Sequence, residues 1–148
     1  MNDTGRPEGV DLTGVPVNNA PFPVNWRGRT FHVRKIIEPS AVFDAVDDIV
    51  GMCVERSGAV LPEMEEYAVR AAVISAYTDI LLPEDSGECY GLVFLTDLFE
   101  TVVKNISKPQ LESIRSAADK LIMKVILTDT WRSVWQSMKI SFQEAKDT

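Results

Sequence analysis

The sequence predicts a mainly α-helical protein: a bundle of four or five helices with an extended N-terminal arm and one short β-strand. Beyond residue 39, apolar residues recur at spacings of three and four through most of the chain. One short segment alternates in the manner of a strand, and the first 29 residues follow neither pattern. A chain of 148 residues fits one domain with a modest core. We therefore expect an extended, partly disordered arm over residues 1–29 and a single helical domain over residues 30–148.

The arm reads MNDTGRPEGVDLTGVPVNNAPFPVNWRGR, and its four prolines prevent a regular helix and favour extended backbone. It also contains valine, phenylalanine and tryptophan, which are unusual in a purely solvated linker. The arm therefore either becomes ordered against a partner or remains a tail that wraps its own domain or stays mobile. The residues of the arm and of the following strand that we expect to contact a partner are Phe22, Trp26, Arg27, Arg29, Arg34 and Lys35.

The strand candidate is TFHVRKII, residues 30–37, which alternates and is β-branched in character. A lone strand would leave its backbone groups unpaired. Either the arm folds back on this segment as a hairpin, or a strand from another chain pairs with it.

The first two helices are placed by proline and by apolar periodicity. The first follows Pro39, with Ser40 as its N-cap, and its apolar stripe includes Phe43. The second begins near Pro62 and ends at Pro83. Its centre, YAVRAAVISAY, is apolar almost all round, which is typical of a helix at the middle of a bundle.

The remaining helices follow a loop with the sequence PEDSGEC. A third helix is predicted over residues 88–106, and the segment SKPQ is a capping box with Ser107 as the cap of a fourth helix and Gln110 three residues later. The segment LTDTW, residues 127–131, is predicted to break or bend the chain before a terminal amphipathic helix over residues 130–146.

The terminal helix carries a stripe of large apolar residues at offsets of 0, 4, 7 and 11. Such a stripe either belongs to the core of the domain or docks on a partner, because Trp and Met are favoured at the centres of interfaces. The residues of this predicted docking stripe are Trp131, Trp135, Met138 and Phe142.

Charge is distributed unevenly along the chain, whose net charge is −7. Residues 38–100 contain 14 acidic and 2 basic residues, whereas residues 1–37 carry a net charge of +2 and residues 101–148 a net charge of +3. The acidic middle argues against a grip on nucleic acid, which needs clustered Lys and Arg. It suits a basic partner or a neighbouring copy of the chain. The predicted acidic face consists of Asp44, Asp47, Asp48, Glu63, Glu65 and Glu66.

No pattern in the sequence predicts catalysis. The chain has one histidine, and it lacks the phosphate-binding, nucleophile-elbow and calcium-loop motifs. Cys53 and Cys89 have no CxxC neighbour, so we expect buried free thiols. Asp47 and Asp48 fall on a helix exterior and not in the shielded pocket that general acid–base catalysis requires. We therefore predict no enzyme activity, catalytic residue, metal, cofactor or small-molecule substrate.

Membranes and nucleic acid are not expected partners either. No apolar run approaches the roughly 20 residues that span a bilayer, and the polar N-terminus lacks a signal-peptide pattern. The segment WRGR, residues 26–29, offers two arginines that could touch a phosphate, which is too small a patch to indicate nucleic-acid binding.

Across residues 31–125 the chain resembles small helical proteins of tailed bacteriophages and of prophages of Gram-positive bacteria. The stretches that carry the resemblance are FHVRKIIEPSAVFDAVDDIV, LPEMEEYAVRAAVISAYTDILLPED and YGLVFLTDLFETVVKNISKPQLESI. The arm and the last helix depart from the short members of that group. The resemblance implies a short strand with helices and a role in virion and tail morphogenesis. It carries over no catalytic residue.

These observations lead to two functional hypotheses. The first is a non-enzymatic phage structural or assembly protein that binds itself or other phage structural proteins, in the virion or the host cytoplasm, as part of a head–tail or tail oligomer. The alternative is an acidic inhibitor of a host defence nuclease that mimics nucleic acid, like an anti-CRISPR protein.

Overall fold

The computed structural model describes residues 8–55 and 57–146, with the side chains of residues 141, 142, 145 and 146 outside that description. The described part of the chain contains a two-stranded antiparallel hairpin and five α-helices, preceded by irregular N-terminal residues. The predicted fold class, a mainly helical bundle with an extended N-terminal segment, is confirmed.

The hairpin consists of β1 (Phe22–Trp26) and β2 (Arg29–Val33), with Phe22 opposite Val33 in register. Arg27 and Gly28 form the turn, with φ of 50° and 75°. Left-handed backbone at both central residues matches the twist of two-residue hairpins, and Gly28 adopts it without steric cost. The arm thus folds back on the predicted strand, which adds a second strand to the one predicted. The hairpin also takes in residues 22–29, which the sequence assigns to the arm.

The hairpin is joined to the helical body along β2. The backbone N–H of Arg34 donates to the carbonyl of Tyr77 at 2.8 Å, and Val33 forms an isolated antiparallel bridge with Thr78. The side chains of Phe31 and Val33 are buried in the core. This pairing within the chain satisfies backbone groups of β2 that a lone strand would leave open.

Helix α1 (Pro39–Cys53) begins after Glu38, which occupies the N-cap position without a side-chain cap bond. The prediction of Ser40 as the cap is therefore wrong, since Ser40 lies inside the first turn. The predicted apolar stripe is confirmed for Val46, Ile49 and Cys53, which are buried. Phe43 is exposed, because it lies on the flank of that stripe.

Helix α2 (Glu65–Tyr77) follows a single 3₁₀ turn over Pro62–Met64 and lies at the centre of the bundle, as predicted. It packs against α1, α3 and α4. It ends at Tyr77, six residues before Pro83, and the hydroxyl of Thr78 donates to the carbonyl of Ile74 at this end. The chain ends the helix here because residues 77–79 pair with β2.

The segment predicted as one helix over residues 88–106 forms two, α3 (Ser86–Phe94) and α4 (Leu98–Val103). Between them the hydroxyl of Thr96 donates to the carbonyl of Leu92 and accepts the N–H of Leu98. These side-chain bonds replace backbone bonds of a continuous helix, which is how Thr competes with helix geometry.

Helix α5 (Lys108–Lys146) runs for 39 residues without interruption. The predicted cap by Ser107 is confirmed, since the N–H of Gln110 donates to Oγ of Ser107 at 3.3 Å. The reciprocal bond of the predicted capping box is absent, because the Gln110 side chain bonds to Ile37 and the N–H of Ser107 donates to the carbonyl of Lys35. The predicted break at residues 127–131 is wrong. The hydroxyls of Thr128 and Thr130 donate to carbonyls one turn earlier and so remain within the helix. Among the described residues, no helix combines the length and apolar character required to cross a membrane.

The core lies between α1, α2 and the first part of α5, with β2, α3 and α4 closing its sides. Helix α5 contributes buried residues to this core only as far as Ile122, and Ile126 packs half-buried against it. The buried residues of α5 are Leu111, Ile114, Ala118 and Ile122.

Candidate interaction surfaces

The second half of α5 carries a series of exposed large apolar residues. Ile122 is its last buried residue, Ile126 packs half-buried against the core, and every residue from 131 to 140 is exposed. We call residues 127–146 the α5 extension. At 1.5 Å per residue it is about 30 Å long, so most of it extends past the body that the first half of α5 covers.

The predicted docking stripe lies on this extension. Trp131 is 71% exposed, Trp135 58% and Met138 46%. The interpretation of the stripe as domain core is therefore wrong for these three residues, and docking on a partner remains a prediction. The side chain of Phe142 lies outside the described residues.

The stripe faces away from the body. Successive residues of an α-helix are turned by about 100°. Leu127, Trp131 and Met138 consequently point about 100–180° away from Ile114 and Ile122, which face the core. The apolar surface of α5 thus changes sides along the helix, and its second stripe has no partner within the described chain.

Basic residues accompany the apolar stripe. Residues 127–146 contain three basic residues, Arg132, Lys139 and Lys146, and two acidic residues, Asp129 and Glu144, a net charge of +1. Nζ of Lys139 lies 5.9 Å from the centre of the Trp135 ring. The extension is therefore an amphipathic helix of nearly balanced charge, a form that binds in apolar grooves of a partner.

A groove with two carboxylates on one side lies between α1 and α2. It has a volume of about 410 Å³, and Asp47 and Asp48 stand on its α1 side. Asp44 is exposed one turn before Asp48 on the same helix. We call this groove the α1–α2 groove. Its remaining lining residues are Gly51, Met52, Ala71, Ala72 and Ser75.

The other predicted acidic residues, Glu63, Glu65 and Glu66, do not line this groove. Glu66 accepts from Nη1 of Arg115 at 2.8 Å and from Nε of Arg70 at 3.1 Å. Burial alone would raise the pKa of Glu66, but the hydrogen bonds from the two arginines outweigh it and lower that pKa. Burial and the nearby Asp119 raise the pKa of Glu65. Glu63 is exposed in the 3₁₀ turn.

The acidic residues thus do not form one face. Asp47 and Asp48 share the α1–α2 groove, whereas Glu66 lines a separate pocket with Arg70 and Arg115. The guanidinium of Arg70 also lies over the rings of two phenylalanines of the body. Glu66 therefore links α2 to α5 of its own chain through Arg115. Spacing along the sequence could not predict this contact.

The predicted contact residues of the hairpin are divided between the body and the solvent. Phe22 and Trp26 are half-buried against the core, and Nε1 of Trp26 donates to Oδ1 of Asp97 at 2.9 Å. This bond lowers the pKa of Asp97. The guanidinium of Arg27 lies 4.8 Å from the Trp26 ring. Three further residues, Arg29, Arg34 and Lys35, are exposed.

One polar pair escaped the sequence analysis. Asp79 accepts from the backbone N–H of His32 at 2.8 Å, and its other oxygen lies 3.0 Å from Nδ1 of the same histidine. The hydrogen bonds from His32 lower the pKa of Asp79. The residues are 47 positions apart, so only the pairing of β2 with the end of α2 brings them together.

This pair borders a pocket of about 610 Å³, whose lining includes Arg34 and Tyr77. The one aliphatic hydroxyl in that lining belongs to Thr78, and it donates to the carbonyl of Ile74 at 2.6 Å. The hydrogen bonds between His32 and Asp79 therefore join β2 to the chain that follows α2.

Cys53 and Cys89 are buried free thiols, as predicted. Burial raises the pKa of Cys53, which keeps the thiol protonated and unreactive. Within residues 8–55 and 57–146, no group of three His, Cys, Asp or Glu side chains has an arrangement that could hold a metal ion.

The chain matches no protein-family model, and no curated protein or solved structure shows significant similarity to it. The resemblance to phage morphogenesis proteins accordingly stays an expectation from the sequence.

Proposed function

We propose that this protein is a non-enzymatic phage structural or assembly protein that acts through protein–protein contacts, within a head–tail or tail oligomer. The observation that carries the proposal is the α5 extension. Soluble monomers seldom expose a contiguous apolar surface of this kind, and such surfaces mark sites of interaction. Trp131 and Trp135 supply the residue type most enriched at the energetic centres of interfaces.

The distribution of charge supports contacts between copies. Residues 101–148 carry a net charge of +3, while α1 carries three exposed carboxylates and no basic residue. Unlike surfaces on one molecule pair head to tail, and such contacts close into a ring when the rotation between subunits permits it. The partners in this proposal are further copies of the chain and other phage structural proteins, in the virion or the host cytoplasm.

Deletion of the gene from the phage or prophage genome tests the proposal. We expect lysates with incomplete particles under the electron microscope, and recovery of complete particles when the gene is supplied from a plasmid. Complete, infectious particles from the deletion strain would refute the assembly role.

The alternative, an inhibitor that mimics nucleic acid, has support in the exposed carboxylates Asp44, Asp47 and Asp48 on α1. Its acidic surface is smaller than the sequence suggests, because Glu66 is paired with Arg70 and Arg115. This function requires tight binding to a basic host nuclease that added DNA displaces. A pull-down from host lysate with and without competing DNA distinguishes it from assembly.

A further inference from the structure

We infer that the α5 extensions of two copies of this chain pair with each other in antiparallel orientation and form a two-fold symmetric dimer. The inference rests on the proposed function, in which the extension acts through protein–protein contacts, and it names the partner. The contact surface is a line of four exposed apolar residues, which we call the seam: Leu127, Trp131, Val134 and Met138.

The spacing of the seam is that of a helix that pairs with another helix. Its residues follow one another at intervals of four, three and four, the alternation that keeps an apolar line facing a partner helix in a coiled coil. Each of the four residues is between 45% and 71% exposed, so the described chain leaves a large part of each uncovered. A helix face of this form fits the same face of a second helix.

The body of the same chain cannot cover the seam. Helix α5 is continuous, and residues 123–146 contain neither Pro nor Gly at which it could turn back. The seam also points away from the side of α5 on which Ile114 and Ile122 are buried. The helix that covers it therefore has to come from a second molecule.

The charged residues of the extension allow two seams to meet. Those between positions 127 and 144 all lie more than about 100° round the helix from the centre of the seam. They are Asp129, Arg132, Lys139 and Glu144. The positions that flank the seam on its two sides are uncharged, and they hold Thr128, Thr130, Trp135 and Ser137. Two copies can therefore bury this apolar surface without bringing like charges together along it.

The exposed area is sufficient for a dimer. Trp131 is 71% and Trp135 58% exposed, and since an aromatic side chain can bury about 150–250 Å², the two offer about 190–320 Å² per copy. The four rings of a dimer thus supply about half of the roughly 1,000 Å² that a specific interface needs. The aliphatic side chains of the seam bring the total close to that size. We consequently expect a dimer that dissociates on dilution.

Charge also selects the antiparallel orientation. Toward the body, the line of the seam continues into Lys120 and Lys124, which line a surface depression of about 450 Å³ together with Leu127. In a parallel pair each lysine would face its own counterpart, and like charges across an interface are unfavourable. In an antiparallel pair centred near Val134, Lys124 lies level with Glu144 of the second copy, so that no lysine meets a lysine.

A two-fold contact uses the same surface on both molecules, so it closes at two copies. The paired region begins after Ile122, the last buried residue of α5, and the two bodies lie at its opposite ends. The exposed carboxylates of α1 stay free for the other contacts of the proposed assembly.

Two matched substitutions test the contact. Val134 lies in the seam and is 45% exposed, whereas Ile140 is 60% exposed and lies about 150° round the same helix from the centre of the seam. We expect Val134→Glu to raise the dissociation constant of the dimer at least about tenfold in sedimentation equilibrium, because it places unpaired carboxylates in the interface. Ile140→Glu should dimerise like the wild type. Circular dichroism checks folding, and Trp131→Ala, which adds no charge, replaces Val134→Glu if that variant does not fold.

Cross-linking of introduced cysteines tests the orientation. Positions 127 and 141 lie seven residues before and after Val134, so an antiparallel pair brings them together. A short bismaleimide should therefore join Leu127→Cys to Ser141→Cys in an equal mixture. Neither variant should cross-link alone, since two copies of either position are then about 21 Å apart along the axis. The wild type, whose two cysteines are buried, serves as the control.

Three results would overturn the inference: a wild type that remains monomeric at all concentrations, a seam variant that associates as well as Ile140→Glu, or cross-linking of each cysteine variant with itself and not in the mixture. None of these results touches the gene-deletion experiment. A monomeric wild type together with incomplete particles would leave an assembly protein whose extension binds a different protein. A dimer together with infectious particles from the deletion strain would refute only the assembly role.

Discussion

The side-chain amide of Gln110 hydrogen-bonds to Tyr77 and to Ile37, and so joins three parts of the fold. The phenol of Tyr77 donates to Oε1 of Gln110 at 2.6 Å. The same oxygen accepts the N–H of Ile37 at 3.0 Å, and Nε2 donates to the Ile37 carbonyl at 2.8 Å. The end of α2, the segment after β2 and the start of α5 thus meet at one amide.

Substitution of Gln110 by Ala leaves the Tyr77 hydroxyl and both backbone groups of Ile37 without their partner. Each buried polar group that loses its bond costs about 1–3 kcal/mol. We expect the free energy of unfolding in urea to fall by about 3–5 kcal/mol, the low end of the sum, because Gln110 is only part-buried. Gln136→Ala, at an exposed position of the same helix, serves as the control. An equal effect of the two changes would refute the role of Gln110.

Tyr77 provides a prediction for alkaline pH. Burial raises the pKa of Tyr77 to about 12 from 10.0. Because the phenol ionises earlier in the unfolded chain, its contribution to stability is complete below pH 10 and is lost as the pH rises toward 12. Wild-type protein should therefore lose more stability than Tyr77→Phe across that interval in urea titrations. Parallel pH dependence of the two proteins would contradict this.

Two leucines of α5 test where the core ends. Leu111 is 5% exposed and Leu127 is 55% exposed. Leu111→Ala should lower the free energy of unfolding by about 2–5 kcal/mol, as for buried leucines in general. Leu127→Ala should change it by less than about 0.5 kcal/mol when measured on dilute, dissociated protein. A comparable loss at both positions would mean that the extension packs against its own domain.

The pair of Asp79 and His32 predicts behaviour in acid. Hydrogen bonds from His32 lower the pKa of Asp79 below its ordinary 3.8. The pair therefore contributes stability above that pH, and the contribution is lost as the pH falls through the lower folded-state pKa. Asp79→Asn should be less stable than the wild type near neutral pH, and the difference should shrink in acid. Thermal unfolding across a pH series measures it, and a difference that is constant with pH would exclude the pair as its source.

Local patterns predicted much of the fold. Alternation identified β2, and the spacing of Ser107 and Gln110 identified the start of α5. The break between α3 and α4 at Thr96 was missed, because neither Pro nor Gly marks it and a single threonine hydroxyl produces it. The continuity of α5 was missed for a related reason. Thr128 and Thr130 bond within the helix, although the same residues often cap a new one.

Contacts between residues far apart in the sequence could not be predicted from local patterns. Trp26 and Asp97 are 71 residues apart, and Gln110 and Ile37 are 73 apart. The α5 extension was likewise predicted only in part. Periodicity found the stripe of Trp131 and Trp135 but left open whether it was buried, because that depends on where the body ends.

The location of the tryptophans has a practical consequence. The chain has three, of which Trp26 is half-buried in the hairpin while Trp131 and Trp135 face solvent on the extension. Indole emission shifts to shorter wavelength when the ring leaves water, so we expect any partner that covers the extension to change the emission of these two residues most. Tryptophan fluorescence of the unlabelled protein can therefore report whether the exposed face of the extension is covered, even when the rest of the fold stays unchanged.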